Sequence, residues 1–190
     1  MNIDGTRALF DAAQGMPIVF LSSRAVYGDH RRGETLREED EPAPDTLYGE
    51  VKLAAEYALG RRGASLRATG VYGSRPHKWE ALFTDWLAGR PVASRIATEV
   101  HGCDLAAAIR LVLERDIRGV FNVSDLLLDR HDLLSRLARL TGCRHALPPR
   151  ADGTSPGIMA TDRLRALGWV PGGEARLEAF LASEVRSRGW

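Results

Sequence analysis

The sequence predicts an α/β fold: a partial doubly wound parallel sheet followed by a smaller, mostly helical domain. Three observations carry this expectation. The short continuous apolar run at 18–21 has the composition of a strand buried on both faces of a parallel sheet, and 64–69 reads as the next short strand. Amphipathic segments alternate with them, giving the helix, strand, loop, helix, strand rhythm of a doubly wound domain. Beyond Gly73 the pattern changes to helical stripes of aromatic and aliphatic residues. The expected division is therefore 1–73 for the sheet domain and 74–190 for the second domain, with the chain returning to the sheet near 119–123.

Each element has a local justification. Residues 2–14 place Ile3, Leu9, Phe10 and Ala13 on one helical face, with Gly15 where a C-cap glycine belongs. Residues 17–22 form the first strand. The stretch 28–44 is polar, contains Arg31-Arg32-Gly33 and Glu38-Glu39-Asp40-Glu41-Pro42, and reads as a surface loop. Asp45 or Thr46 is placed to cap a helix running to about Gly60, and Gly63 breaks the chain before the strand at 64–69. Trp79, Leu82, Phe83, Trp86 and Leu87 recur at helical spacing and predict the core stripe of a helix ended by Gly89 and Pro91. Asp104 is expected to cap a helix through about Glu114, with Leu105, Ile109, Val112 and Leu113 inward. A strand at 119–123, a helix at 129–141, a Pro- and Gly-rich connection at 146–157 and a last helix at 174–188 complete the chain.

Composition excludes several classes of function. The 26 basic and 25 acidic residues leave a net charge of +1, so nothing attracts nucleic acid or an anionic membrane surface, and a small molecule is the expected partner. No apolar run approaches membrane-spanning length. Cys103 and Cys143 form no Cys-x-x-Cys pair, and a reducing cytoplasm is the default expectation. Cys103 reads as a small buried packing residue. The five histidines show no metal-ligand spacing, and no serine sits in a Gly-x-Ser-x-Gly elbow.

Chemistry concentrates in Tyr48-Gly49-Glu50-Val51-Lys52, set 25 residues after Ser23. A phenol and an ammonium four residues apart share one helix face. Only Lys52 and Lys78 are lysines among the 26 basic residues, so a chance Tyr-x-x-x-Lys is rare here. A tyrosine hydroxyl is a poor base at neutral pH, and a nearby ammonium stabilises its anion. Ser23 ends an apolar strand, at the sheet edge where open α/β sheets bind ligands, and its hydroxyl can hydrogen-bond an alcohol or carbonyl oxygen that changes protonation. Ser23, Tyr48 and Lys52 thus suit proton transfer beside a nicotinamide, with NAD or NADP as the cofactor.

These segments resemble the NAD-dependent epimerase/dehydratase family, the extended short-chain dehydrogenase/reductases. Asn2-Ile3-Asp4-Gly5-Thr6 is similar to that family's Asn-x-x-Gly-Thr helix start, and 21–28 to its catalytic-serine strand. Tyr48 to Lys52 resembles its Tyr-x-x-x-Lys, and 66–73 the strand leaving its cofactor domain. His101-Gly102-Cys103-Asp104-Leu105-Ala106 resembles the start of a substrate-domain helix, and Leu167-Gly168-Trp169 a late Leu-Gly-Trp segment. The resemblance implies a Rossmann-like sheet, catalysis by Ser23, Tyr48 and Lys52, and cofactor contacts from Ser22, Tyr48, Lys52 and Thr69. It also implies substrate contacts from Ser23, Arg24 and Arg95, and a homodimer through the helices at 2–14 and 46–60.

Departures from the family pattern narrow the expected reaction. Arg24 and Ala25 stand where sugar-nucleotide dehydratases carry Asp and Glu, which argues against 4,6-dehydration. Gly70 and Ala97 replace the Asn and Arg with which typical members meet the nucleotide of their substrate. The expected substrate is a smaller sugar, uronate, lactone or hydroxy acid, with a nucleotide-sugar epimerase as the alternative. His77, Lys78 and Trp79 fit either a substrate loop or a polar helix start. The family's glycine-rich loop would precede Asn2, so the sequence reads as a fragment that binds cofactor poorly alone, or as a non-catalytic binding module.

Overall fold

The computed structural model describes residues 3–13, 15–73 and 76–190. Helix α1 (Ile3–Ala12) leads into β1 (Val19–Ser23), a short 3-10 turn at Arg24–Tyr27, and the two-residue β2 (Thr35–Leu36). Helix α2 (Leu47–Leu59) returns the chain to β3 (Ala64–Ala68), and after the single residue Thr69 the chain continues as β4 (Gly70–Tyr72). Then come α3 (Glu80–Leu87), β5 (Ile96–His101), α4 (Gly102–Glu114), β6 (Gly119–Val123), β7 (Leu126–Asp129) and α5 (Arg130–Thr141). The chain closes with β8 (Ile158–Met159), α6 (Asp162–Ala166) and α7 (Gly173–Arg188).

The main sheet is all parallel, in the order β1-β3-β6, and is completed by the return of the chain at 119–123. A second sheet, β4-β5-β7, pairs β4 and β5 in parallel and β5 and β7 antiparallel. A parallel bridge joins β2 to β8. On one face of the main sheet, Phe20 packs with Phe10 of α1 and with Ala55 and Leu59 of α2. Leu66, Phe121 and Val123 pack on the opposite side with Val100, Val112 of α4, and Trp169. The predicted aromatic stripe is core: Trp79, Phe83 and Trp86 are buried against Leu133, Leu134, Leu137 of α5 and Phe180 of α7.

Several expectations are corrected. β1 is not covered on both faces, because Leu21 is 42% exposed. Of the face proposed for α1 only Phe10 is buried and Leu9 projects outward, while Asn2 and Gln14 lie outside the described residues. The stretch 28–44 is not wholly a surface loop, since Leu36 is completely buried in the β2–β8 bridge. Helix α4 begins two residues before Asp104 and is capped by His101, whose Nδ1 accepts from Cys103 N–H at 3.0 Å. The imidazole acceptor replaces the carboxylate because Asp104 turns inward to Arg176, 3.1 Å away. Leu113 is exposed rather than inward, and Cys103 is exposed. Of the two proposed caps of α2, Thr46 makes the bond, its Oγ1 accepting from Gly49 N–H at 3.1 Å.

Among the described residues, no helix is long and apolar enough to cross a membrane.

Candidate active site

A row of buried polar residues crosses the main sheet near its carboxyl edge. Ser22 of β1, Arg67 of β3 and Asn122 of β6 occupy one register position, so their side chains share a face. The Ser22 hydroxyl donates to Glu56 Oε1 of α2. Arg67 donates to both oxygens of the same carboxylate, with Nη2 at 2.7 Å from Oε2. Both side chains of the pair are 4% exposed. Tyr27 bonds Asn122 Oδ1 at 2.9 Å, and its ring stacks under the Arg67 guanidinium at 4.8 Å. Burial pushes the Tyr27 phenol above its ordinary value, opposed by Arg67. A buried ion pair is worth little net stability, but removal of one partner is costly, so this row fixes where α2 sits on the sheet.

The start of α2 is held just as closely. Gly49 is buried, and a Cβ there would collide with the carbonyl oxygen of Ala25, one residue into the turn that follows Ser23. One turn on, Lys52 Nζ donates to the Leu21 carbonyl at 2.6 Å and lies 4.9 Å from the centre of the Phe20 ring. The same ammonium is 5.6 Å from the centre of the Tyr48 ring. Burial lowers the Lys52 ammonium below the ordinary lysine value. Tyr48 itself is 55% exposed. The Ser23 oxygen accepts from Ala25 N–H at 3.2 Å, capping the 3-10 turn, and its own hydrogen remains available to donate.

Beside this group opens a cavity of about 650 Å³. Ser23 and Arg24 form one wall, Thr69 and Gly70 lie at the junction of the two sheets, and Arg95 and Glu99 bound the other side. The structure therefore brings together four of the expected residues, Ser23, Arg24, Thr69 and Arg95. Tyr48 and Lys52 are not part of the lining. They stand beside it, tied to β1 through Leu21. Ser22, expected at the cofactor, points its hydroxyl instead into the buried bond with Glu56. Arg24 Nε donates to the Gly157 carbonyl at 3.0 Å, and its guanidinium lies 3.6 Å from Asp29. The Thr69 hydroxyl bonds both the carbonyl and the hydroxyl of Thr98. Arg95 is exposed.

Two residues of the cavity were not identifiable from sequence as a unit. Lys78 Nζ lies 2.7 and 2.5 Å from the two oxygens of Glu99. Burial raises the Glu99 carboxyl above the ordinary carboxylate range, and Lys78 opposes that shift. Lys78 carried a signal, being one of two lysines. Glu99 carried none, because β5 shows no clean alternation and was not predicted as a strand. Among the described residues no group of three or more His, Cys, Asp or Glu is placed to hold a metal ion.

The model of the NAD dependent epimerase/dehydratase family matches residues 1–124. A curated dTDP-4-dehydrorhamnose reductase of Sinorhizobium fredii (strain NBRC 101917 / NGR234) is 28% identical over 141 residues, covering 65% of this chain and 47% of that protein. The chain thus spans about half the length of the curated relative it matches. The NAD complex of UDP-glucose 4-epimerase from Thermus thermophilus superposes with a TM-score of 0.76 at 26% identity, covering 96% of this chain and 68% of that one. UDP-N-acetylglucosamine 4-epimerase from Methanobrevibacter ruminantium M1, in complex with UDP-N-acetylmuramic acid, gives a TM-score of 0.79 at 20% identity, covering 97% and 67%, and shares the fold.

Proposed function

Since the chain belongs to the NAD dependent epimerase/dehydratase family, we propose that it performs the proton-transfer half of a nicotinamide-dependent hydride transfer on a sugar, uronate, lactone or similar hydroxyl or carbonyl substrate. The observation that carries this reading is the tie from Lys52 to the Leu21 carbonyl. It fixes the helix bearing Tyr48 beside the strand that ends in Ser23, at the rim of the cavity.

The residues present fit the nicotinamide end of NAD or NADP. Lys52 spends one N–H on Leu21 and keeps two for a ribose diol. Tyr48 is exposed and Thr69 faces the cavity. When bound, the cofactor accepts or supplies the hydride. Tyr48 takes the proton from the substrate hydroxyl in the oxidative direction and returns it in the reductive one, while Lys52 stabilises the phenolate. Ser23 donates to the reacting oxygen, and Arg24 and Arg95 contact the substrate body. Ser22 acts through Glu56, as a positioning residue.

The test is hydride transfer, followed by nicotinamide absorbance, in the protein as its gene encodes it and in Tyr48→Phe. A loss of two orders of magnitude or more is expected. Equal rates in the two overturn the reading. We extend it to a homodimer through α1 and α2, where Leu9, Leu47 and Tyr57 are 66%, 75% and 66% exposed. A sedimentation coefficient of a monomer removes that extension.

A further inference from the structure

Gly70 of β4, Lys78 of the turn before α3 and Glu99 of β5 meet at one wall of the 650 Å³ cavity. A Cβ at position 70 would collide with both Lys78 Nζ and Glu99 Oε2, so the wall exists in this form only because residue 70 has no side chain. Behind the pair lies a smaller cavity of about 80 Å³, bordered by Trp79, Leu128 and Arg130. Lys78 and Glu99 line both cavities and, with Arg95 and Ala97, form the partition between them.

Like Arg176–Asp104 and Arg188–Glu184, the pair joins a buried carboxylate to a partly exposed cation, and of these three only Lys78–Glu99 lines the large cavity. The Glu99 side chain is 5% exposed, while that of Lys78 is 31% exposed and reaches the cavity. The ladder position of Glu99 on β5 is secured by β4 on one side and β7 on the other, so its backbone is fixed by the sheet and its carboxylate is met by Lys78. Arg95 adds a third charge nearby, favouring ionised Glu99.

We propose that Lys78 and Glu99 are a specificity-determining pair that binds the non-reacting hydroxyls of a free sugar or sugar acid. The proposal rests on the functional reading above and deepens it by naming the substrate class. A donor and an acceptor 2.5 to 2.7 Å apart match two vicinal hydroxyls, because each hydroxyl can accept from the ammonium and donate to the carboxylate. Lys78 has an N–H beyond those given to Glu99, and each Glu99 oxygen has a second lone pair. A diphosphate has only acceptors. It would gain from Lys78 but meet Glu99 as a like charge on a wall of low dielectric. The wall therefore selects polyols and disfavours a nucleotide diphosphate at the same position.

The test measures binding by calorimetry on the protein as its gene encodes it, in the presence of NAD and in the Tyr48→Phe background so that no hydride is transferred. The probes are D-glucose, D-galactose, D-glucuronate and D-galacturonate, against UDP and UDP-glucose. The variants are Lys78→Met and the double variant Lys78→Met/Glu99→Gln, which leaves no unpaired buried charge and keeps the side-chain volumes. Thermal unfolding checks that each is folded. The expected result is that at least one free sugar or uronate binds, and that the double variant weakens it about tenfold or more with NAD affinity unchanged. Unchanged affinity in the folded double variant, binding of none of the four sugars, or tighter binding of UDP than of any of them overturns the proposal. Tyr48→Phe separates the two readings: it abolishes hydride transfer but keeps sugar affinity if both hold. Wild-type turnover with variants of unaltered sugar affinity sinks the pair alone.

Discussion

The ammonium of Lys52 donates to the carbonyl of Leu21 at 2.6 Å, joining the second turn of α2 to the strand that ends in Ser23. The tie is mechanical, and on the proposed function the same ammonium also supports the Tyr48 phenolate. Lys52→Met is expected to lower kcat/KM by about a hundredfold or more, since both phenolate support and helix placement are lost. Burial holds the ammonium below 10.5, so the wild-type alkaline limb falls below that pH and steady-state kinetics across alkaline buffers locates it. A limb in the same place in Lys52→Met assigns it to another group.

Gly49 lies where helix and turn come closest. Gly49→Ala is expected to cost about 1–3 kcal/mol in urea unfolding, because the new methyl collides with the backbone of Ala25 rather than with a side chain that could move. Gly5 of α1 is the control. Nothing lies within 4 Å of a Cβ there, so Gly5→Ala is expected to add up to about 1 kcal/mol. Equal effects at the two positions would refute the close approach.

Glu56 and Arg67 form a pair with both side chains 4% exposed. Single truncations, Glu56→Leu or Arg67→Met, are each expected to cost about 3–5 kcal/mol by leaving one buried charge alone. The double variant should cost less than the sum, and a double-mutant cycle in urea measures the difference. Strict additivity would show that the pair is not coupled.

Acid should weaken the fold through two histidines. Burial lowers His77, which faces Glu184, Arg188 and Glu80, and it lowers His101, which faces Arg176 and Asp104. A lowered folded value means that their contribution is complete above the unfolded value of 6.5 and is lost as pH falls through the folded values. Urea midpoints should therefore decline below pH 6.5, and less steeply in His77→Gln. Glu99 and Asp125, raised by burial, act in the opposite sense, so the comparison with the variant isolates the histidine. Parallel curves would remove His77 from the account.

What the sequence disclosed follows from the range of its signals. β6 and the helices α3, α5 and α7 were legible because periodicity and capping residues are local. The short β2 and β8 were not, since two residues carry no period. β5 was missed because its exposed and buried positions do not alternate, and with it went Glu99, half of the cavity wall. Ser23, Tyr48 and Lys52 were readable from spacing. Gly70 was readable only as a departure, because what fills its missing side chain arrives from residues 78 and 99. The bond of the Ser22 hydroxyl to Glu56 was hidden for a similar reason: that partner lies 34 residues away, and only strand register aligns Ser22 with Arg67.

β3 and β4 are separated by Thr69 alone, and that residue is fastened to Thr98 across the gap. The two walls of the cavity, one ending in Ser23 and the other built on β5, are therefore joined at two short links, Thr69 between β3 and β4 and the two residues between β6 and β7. On the proposed function, a ligand touching both walls would have to match the separation that these short links hold.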